Sequence, residues 1–393
     1  MSRQPAELAS SGSALAVALG DDAAVAIYKP GDRLGDRYRL QRLLGQGASG
    51  QVWQAIQEPL GRTVAVKVQK ADAKGRASMR FLQEARIAGK LQSRYVVSLF
   101  DFGNTSNGSL YMVMEHLEGE TLGARLMRAP ELSVKELLRF IGQALIGLQE
   151  VHNAGIVHRD LKPDNIFLVT EKQTTYAKIL DFGVSRAQDM DFLGADLSKL
   201  TGTGMTVGTP LFMAPEQARG LRDQLDGRTD LYALGVILFK ALAGRPPFAD
   251  ANVVDLLMAV VAATVAPSVK AVRKDVPWDL SAAIQKAMAP KREDRFVSAD
   301  EMRVALEAIE QKIPATLLCR WTGRSTLAST EDAAVARGFS TLVPPTDMDA
   351  TMPQSLLSMN MLRGQLAGLP TAWVIAAVAT LAAAAALGIW AGR

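Results

Sequence analysis

"GIVHRDLKPDNIFLV", residues 155–169, places His158, Arg159, Asp160, Lys162, Asp164 and Asn165 between the apolar residues Val157 and Ile166. Each polar side chain must be hydrated, paired or hydrogen-bonded once its flanks are buried, so folding alone gives no reason to gather them. A segment of this kind is expected to carry chemistry. Around it stands a chain of 393 residues with 48% apolar content, enough for a sizeable core and two or three domain-sized units. The 44 Lys and Arg against 40 Asp and Glu leave a net charge of only +4, and no Lys/Arg block exceeds two residues. Composition therefore argues for neither nucleic acid nor an acidic substrate as the partner. A single cysteine, Cys319, excludes an intramolecular disulfide and a cysteine-rich metal site, which fits a reducing, cytoplasmic compartment.

Residues 1–36 read as a flexible tail, because their one apolar run, "ALAVALG" at 14–20, meets Asp21 and Asp22 directly and has a thin basic flank. From Tyr38 the segments "YRLQRLLG", "GQVWQAIQ" and "TVAVKV" have strand length and β-branched content with glycines between them, which predicts an antiparallel sheet. In "SMRFLQEARIAGKLQ" the residues Phe81, Ala85, Ala88 and Leu91 share one helical stripe with Glu84, a carboxylate that needs a partner. Further strands are expected at 95–103 and 109–115. After about residue 120 helical spacing takes over, at 133–154, 230–243, 253–263, 279–289 and 299–312. The run at 253–266 is interrupted by Asp255 and too short to span a bilayer, so it reads as a soluble helix.

Residues 313–369 mix Thr, Ser, Pro, Asp and Met with weak periodicity, as a juxtamembrane linker would. "TAWVIAAVATLAAAAALGIWAG" then runs uncharged from Thr371 to Gly392. As a helix it would hold Trp373 and Trp390 about 25 Å apart, matching two interfacial belts. The expectation is a single transmembrane helix over 370–392, with no room for an external sensor domain. Ala384, Gly388 and Gly392 recur at every fourth position and could pack two such helices as a homodimer, although an alanine-rich segment makes that pattern almost unavoidable.

Two further patterns carry chemistry. "GQGASGQV" at 45–52 supplies Gly45, Gly47 and Gly50, so that a β-turn-β can approach phosphate oxygens with bare backbone amides. Such a G-x-G-x-x-G arises by chance about 0.2 times in a chain this rich in glycine and is weak alone. Gly50 leads into another strand, which excludes the version that binds dinucleotides at a helix start. Lys67 sits in "VAVK" on a predicted strand, with Glu84 available as its ion-pair partner.

Taken together, these residues resemble a eukaryotic-type protein kinase, specifically a bacterial membrane-anchored Ser/Thr kinase, over about residues 37–312. "HRDLKPDN" is the most specific part of the match. The resemblance implies an α+β, bilobal kinase fold, with an N-lobe at 37–116 and a mainly helical C-lobe at 117–312. It implies transfer of the γ-phosphoryl group of ATP to protein Ser/Thr hydroxyls with Mg2+, or Mn2+ in its place. Asp160 would accept the hydroxyl proton, Lys162 would stabilise the moving phosphoryl group, and Lys67 with Glu84 would complete the catalytic set. Asn165 and Asp181 of "DFG" would hold the metal. His158 reads as structural, while Arg159 would pair with an activation-loop phosphate.

In "TGTGMTVGTPLFMAPE", 201–216, the resemblance makes Thr201, Thr203 and Thr206 autophosphorylation candidates, with the first two favoured, and sets Thr209 beside the catalytic aspartate on the acceptor side. Arg295 would pair with Glu216, and Asp230 would brace the catalytic loop. Leu44, Gly45, Gly47, Gly50, Val52, Ala65, Lys67, Met114 and Phe167 would enclose the nucleotide, with hydrogen bonds from the backbone of Glu115 and Leu117. Each residue has an ordinary structural use of its own; their joint order carries the reading. The competing readings are a membrane-tethered pseudokinase scaffold, which no motif supports, and a small-molecule phosphotransferase, which should lack "APE". The implied location is the inner membrane, single-pass, with the kinase domain cytoplasmic and acting on protein substrates.

Overall fold

The computed structural model describes residues 28–47, 50–69, 89, 91–105, 109–128, 132–181, 210–248, 253–262 and 265–321. The helix carrying Glu84, the threonines Thr201, Thr203, Thr206 and Thr209, the tail before Tyr28, and the linker and span beyond Trp321 lie outside them. Among the described residues no helix is long and apolar enough to cross a membrane.

Six antiparallel strands form the first sheet: β1 Arg33–Leu34, β2 Tyr38–Gly47, β3 Gly50–Gln57, β4 Arg62–Gln69, β5 Leu99–Asn104 and β6 Leu110–Glu115, in the order β1-β2-β3-β4-β6-β5. Side chains alternate across a strand, so Trp53 and Ala55 of β3 and Val64, Val66 and Val68 of β4 share a face. They pack with Leu34, Tyr38, Leu40, Tyr111 and Val113 into one small core. The long β2–β3 hairpin closes at Gly47 opposite Gly50, where φ is +135° and a Cβ would lie 2.0 Å from the Val68 carbonyl oxygen. Only glycine satisfies both conditions at position 50.

The second lobe is built on helices: α1 Leu122–Met127, α2 Val134–Asn153, α3 Pro215–Ala218, α4 Gly227–Ala243, α5 Val253–Val261, α6 Val269–Val272, α7 Trp278–Ala287 and α8 Ala299–Glu310. A capping box starts α2, with the Ser133 hydroxyl accepting from the Glu136 amide and the Glu136 carboxylate accepting from the Ser133 amide, 3.2 Å each. From there Leu137, Leu138, Ile141, Leu145, Leu148 and Val151 present one buried stripe. By contrast α4 is buried almost all round from Thr229 to Leu242, as befits the central post of the lobe. It begins at Gly227, three residues ahead of the predicted start, because the carboxylate of the N-cap Asp226 accepts the Arg228 amide at 2.9 Å. A small sheet of β7 Gly119–Thr121, β8 Ile166–Glu171 and β9 Thr174–Ile179 lies within the second lobe, its first strand ahead of α1 and the other two after α2, and was not anticipated. Both long strands are short hydrophobic runs, which periodicity alone does not separate from buried helix.

A second difference concerns residues 313–321, which the sequence assigns to the linker. Ile313, Leu317 and Cys319 are buried, and Ser133 pairs with Leu318 as an isolated bridge. The Leu317 carbonyl accepts the Val134 amide at 2.8 Å, the Cys319 amide donates to Leu132 at 2.9 Å, and the Arg320 amide donates to Ala241 at 2.7 Å. Arg273, itself buried, donates to the carbonyls of Leu242 and Leu318. Gly244 ends α4 at φ +76°, and a Cβ there would approach the Arg320 carbonyl oxygen to 2.7 Å. The segment is thus a strap across the ends of α2 and α4, invisible as periodicity because main-chain groups and three apolar side chains hold it. A chain ended at residue 312 should unfold at lower urea concentration than one ended at 321, by about 3 kcal/mol for the apolar side chains lost. Equal midpoints would show that the strap contributes nothing to the lobe.

Candidate functional site

The β2–β3 hairpin brings Gly45, Gly47 and Gly50 over the face of β4 that carries Lys67, whose cross-strand partners are Val52 and Met112. Ala65 is buried opposite Met114 on β6. Beyond Met114 the chain leaves the sheet at Glu115, and Leu117 packs against a cluster formed by Phe167, Val169 and Tyr176. Phe167 pairs with Thr121 of β7, which fixes the floor beneath the strand-exit segment. The Glu115 amide donates to the Ser98 carbonyl at 3.0 Å, so a ligand at that residue has to use its carbonyl. Leu44 and Val52 are half-buried on the hairpin above. The expected nucleotide enclosure thus draws on the hairpin, on β4 and β6, and on β8 below the strand-exit segment.

Its polar end is tightly ordered. Lys67 is buried, and its ammonium meets the Asp181 carboxylate at 2.7 Å. The sequence had paired Lys67 with Glu84, which lies outside the described residues; Asp181 is the described partner. Burial pushes the Asp181 carboxyl up, but the charge and hydrogen bond of Lys67, with His158 and Lys162 behind them, hold it below the ordinary carboxylate value. The group remains one-third exposed in the cleft, so solvent screens part of that attraction.

The loop 156–165 hangs from α4 by one side chain. Asp230 Oδ2 accepts the His158 amide at 2.9 Å and faces His152 Nε2 at 2.8 Å, while Oδ1 accepts the Arg159 amide at 2.9 Å. Burial raises the Asp230 carboxyl, but its hydrogen bonds and the neighbouring histidines outweigh burial and leave it below the usual value. Held this way, Arg159 adopts φ +63°, a left-handed conformation that an arginine reaches only when its surroundings impose it. His158 is fully buried with Nε2 at 2.8 Å from the Leu180 carbonyl oxygen, the structural position expected for it. Asp160 follows, half-buried. The Asn165 amide nitrogen donates to its carbonyl at 2.7 Å and reaches its carboxylate at 3.4 Å. That nitrogen is committed to Asp160, which leaves the Asn165 amide oxygen as an acceptor for a cation. The Leu180 amide donates to the Asn165 carbonyl at 2.8 Å, which sets Asp181 alongside. Carboxylate and amide oxygens are the hard donors that Mg2+ takes, so this pair fits that ion. Lys162 opens the turn Pro163–Asn165.

Glu216 and Arg295 form a buried bidentate pair at 2.7 and 2.8 Å, and the Thr229 hydroxyl donates to the same carboxylate at 2.9 Å. Three further residues belong to the site and escaped the sequence reading. Lys178 on β9 is buried and donates to the Glu115 carboxylate at 2.7 Å, tying the strand-exit segment to the lower hairpin; a lysine inside a buried strand was the available signal. His152, at the end of α2, reaches Asp230. Gln217 donates to the Arg159 carbonyl at 2.8 Å. Neither of these two carries any sequence signal, since their partners are 78 and 58 residues away.

The protein kinase domain family model matches residues 38–303, and the chain belongs to that family. It is 33% identical over 287 residues to serine/threonine-protein kinase pkn3 of Myxococcus xanthus, covering 72% of this chain and 51% of that protein. To PknA of Mycobacterium tuberculosis it is 39% identical over 234 residues, 58% of this chain and 52% of that one. PknB of the same species is 34% identical over 326 residues, 81% of this chain and 50% of PknB. The chain thus spans about half the length of these curated relatives. Among solved structures, the PknI kinase domain of Mycobacterium tuberculosis superposes with a TM-score of 0.55 at 24% identity, over 72% of this chain and 98% of that one. The architecture is the bilobal protein kinase fold.

Proposed function

We propose that this chain is a Ser/Thr protein kinase that moves the γ-phosphoryl group of ATP to protein hydroxyls. The observation that carries the reading is the convergence of Lys67, Asp181, Asn165 and Asp160 on one cleft below a glycine hairpin, within a chain of the protein kinase family. In the transfer, the substrate oxygen bonds to the γ-phosphorus as the bond to the ADP oxygen breaks, and Asp160 takes the hydroxyl proton. Lys162 lies two residues on, suited to neutralise the moving group, and Lys67 to hold the nucleotide phosphates. Asn165 and Asp181 would hold Mg2+, which when bound neutralises charge on the phosphate oxygens. Glu84 is assigned as the second partner of Lys67. The adenine would rest among Leu44, Val52, Ala65, Met114 and Phe167 against the backbone of Glu115 and Leu117.

Activation is assigned to phosphorylation of Thr201 or Thr203, with Thr206 as the third candidate and Thr209 facing the acceptor. Supporting this, the Arg159 Nε is buried without a hydrogen-bond partner among the described residues, a ready site for a phosphate oxygen. The uncharged run at 371–392 supports a single membrane anchor with the kinase domain on the cytoplasmic side, and its small residues support a pairing of two copies.

Incubating the full chain with labelled Mg-ATP and a generic protein acceptor should label serine and threonine, but not tyrosine, and map chain label to Thr201 or Thr203. Absence of all label with nucleotide still bound would overturn the enzymatic reading in favour of a scaffold. Label confined to other residues would overturn the activation assignment alone.

A further inference from the structure

Arg159 is clamped at both ends of its backbone. Its amide donates to Asp230 of α4, and its carbonyl accepts from Gln217 Nε2 of α3 at 2.8 Å. Gln217 is buried, and its other amide atom is equally committed, with Oε1 accepting the Ala214 amide at 3.1 Å. The chemistry fixes which way the amide lies: a backbone N–H only donates, and a carbonyl only accepts. A primary amide is needed to serve both at once, since a carboxylate of the same length has no proton for the Arg159 oxygen. The neighbouring Glu216 points to Arg295 and Thr229 instead. Consecutive residues of α3 thus fasten the end of the activation segment to the lobe on one side and to the catalytic loop on the other.

From this we infer that Gln217 is a positioning residue for Asp160, which couples the Ala214–Pro215–Glu216 anchor of the activation segment to the peptide that precedes the catalytic carboxylate. The left-handed Arg159 is the joint. Its φ of +63° is unfavourable without support, and the residue it delivers is Asp160. Loss of the carbonyl bond releases one of the two restraints on that conformation, whereas Asp230 still holds the other. The nucleotide enclosure lies on β2, β3, β4, β6 and β8, whereas the Gln217 side chain bonds to Ala214 and Arg159. The effect should therefore fall on the transfer step and spare nucleotide binding.

The inference rests on the kinase reading given above, and two substitutions separate it from a general packing role. Gln217→Glu keeps the acceptor for Ala214 and sets a carboxylate oxygen against the Arg159 carbonyl. Gln217→Met keeps the volume and abandons both bonds. In the full chain, Gln217→Glu should lower kcat about ten- to hundredfold, at least as much as Gln217→Met, with the KM for ATP within twofold of the parent. Backbone hydrogen exchange over residues 156–162 should quicken in both variants, while the middle of α2 stays protected. A Gln217→Glu chain with parental kcat and an impaired Gln217→Met chain would place the role in the Ala214 bond and overturn the coupling. Parental kcat and exchange in both would overturn it too. Should the parent itself transfer no phosphate, the kinase reading fails, and the exchange measurement still decides whether Gln217 restrains the loop.

Discussion

Asp160→Asn is expected to lower the rate of phosphoryl transfer about 10²- to 10⁴-fold, the range that a positioned proton acceptor supplies. The substitution suits the geometry. Asparagine matches aspartate in size, and the main-chain bonds that place the residue, from its amide to the His158 carbonyl at 2.9 Å and from Asn165 to its own carbonyl at 2.7 Å, do not involve the side chain. What is lost is the oxygen that can take a proton. ATP affinity should stay within about twofold, because Lys67, Asp181 and the hydrophobic enclosure are untouched. Kinetics of the purified full chain with a nucleotide-binding titration would check both halves. Transfer unchanged by the substitution would remove Asp160 from the role, whatever the resemblance implies.

Arg295→Met should cost the domain about 3–5 kcal/mol in urea unfolding, the range for removing one partner of a buried ion pair. Arg295 is fully buried, and besides Glu216 it donates to the carbonyls of Ala289, Arg228 and Pro290, so several acceptors lose their donor together. The loss should depend on pH in a defined direction. In the parent, burial pushes the Glu216 carboxyl up, but the hydrogen bonds and charge of Arg295 and the Thr229 hydroxyl bring it below the ordinary value. A depressed carboxyl contributes stability above its unfolded value, and the contribution disappears as pH falls through the folded one. Without Arg295 burial is opposed only by a backbone hydrogen bond and Thr229, the carboxyl rises, and the variant becomes relatively more stable in acid. The gap between parent and variant should therefore narrow from pH 7 towards pH 4. A gap independent of pH would mean that the lost packing, not the charge, accounts for the cost.

How far the sequence could be read follows from the kind of information each residue carries. Asp160, Lys162, Asn165, Asp181, Glu216, Asp230 and Arg295 could be picked out by their order and spacing, and among them the structure shows Asn165 bonded to Asp160, Arg295 to Glu216, and Asp230 holding the amides of His158 and Arg159. The helices α2, α4, α7 and α8 were legible because their apolar residues keep helical spacing over ten or more positions. The β8–β9 hairpin was not, since the apolar run Ile166–Val169 is too short for periodicity to separate a buried strand from a buried helix. For Lys67 the sequence offered Glu84 as an ion-pair partner, which lies outside the described residues, while the bond to Asp181 joins positions 114 residues apart and is visible only in the tertiary structure. Gln217 and His152 are ordinary residues on ordinary helices until tertiary structure sets Arg159 and Asp230 before them. The strap at 313–321 escaped for a related reason, as its bonds are made by main-chain atoms, which every residue possesses alike.

That strap also sets an order of events at birth. The amide of Val134, in the first turn of the longest described helix of the chain, finds its acceptor at Leu317, some 180 residues later. A ribosome adds about 5–20 residues per second, so the start of α2 waits about 10–35 s for the strand that completes it. Throughout that interval Leu132 and Val134 lack the cover that 317–319 will provide, while the N-terminal sheet, whose strands end at Glu115, can already be assembled. The catalytic loop, suspended between α2 and α4, would then be finished only as the strap emerges, so a nascent chain should hold a formed glycine hairpin well before it holds a working cleft.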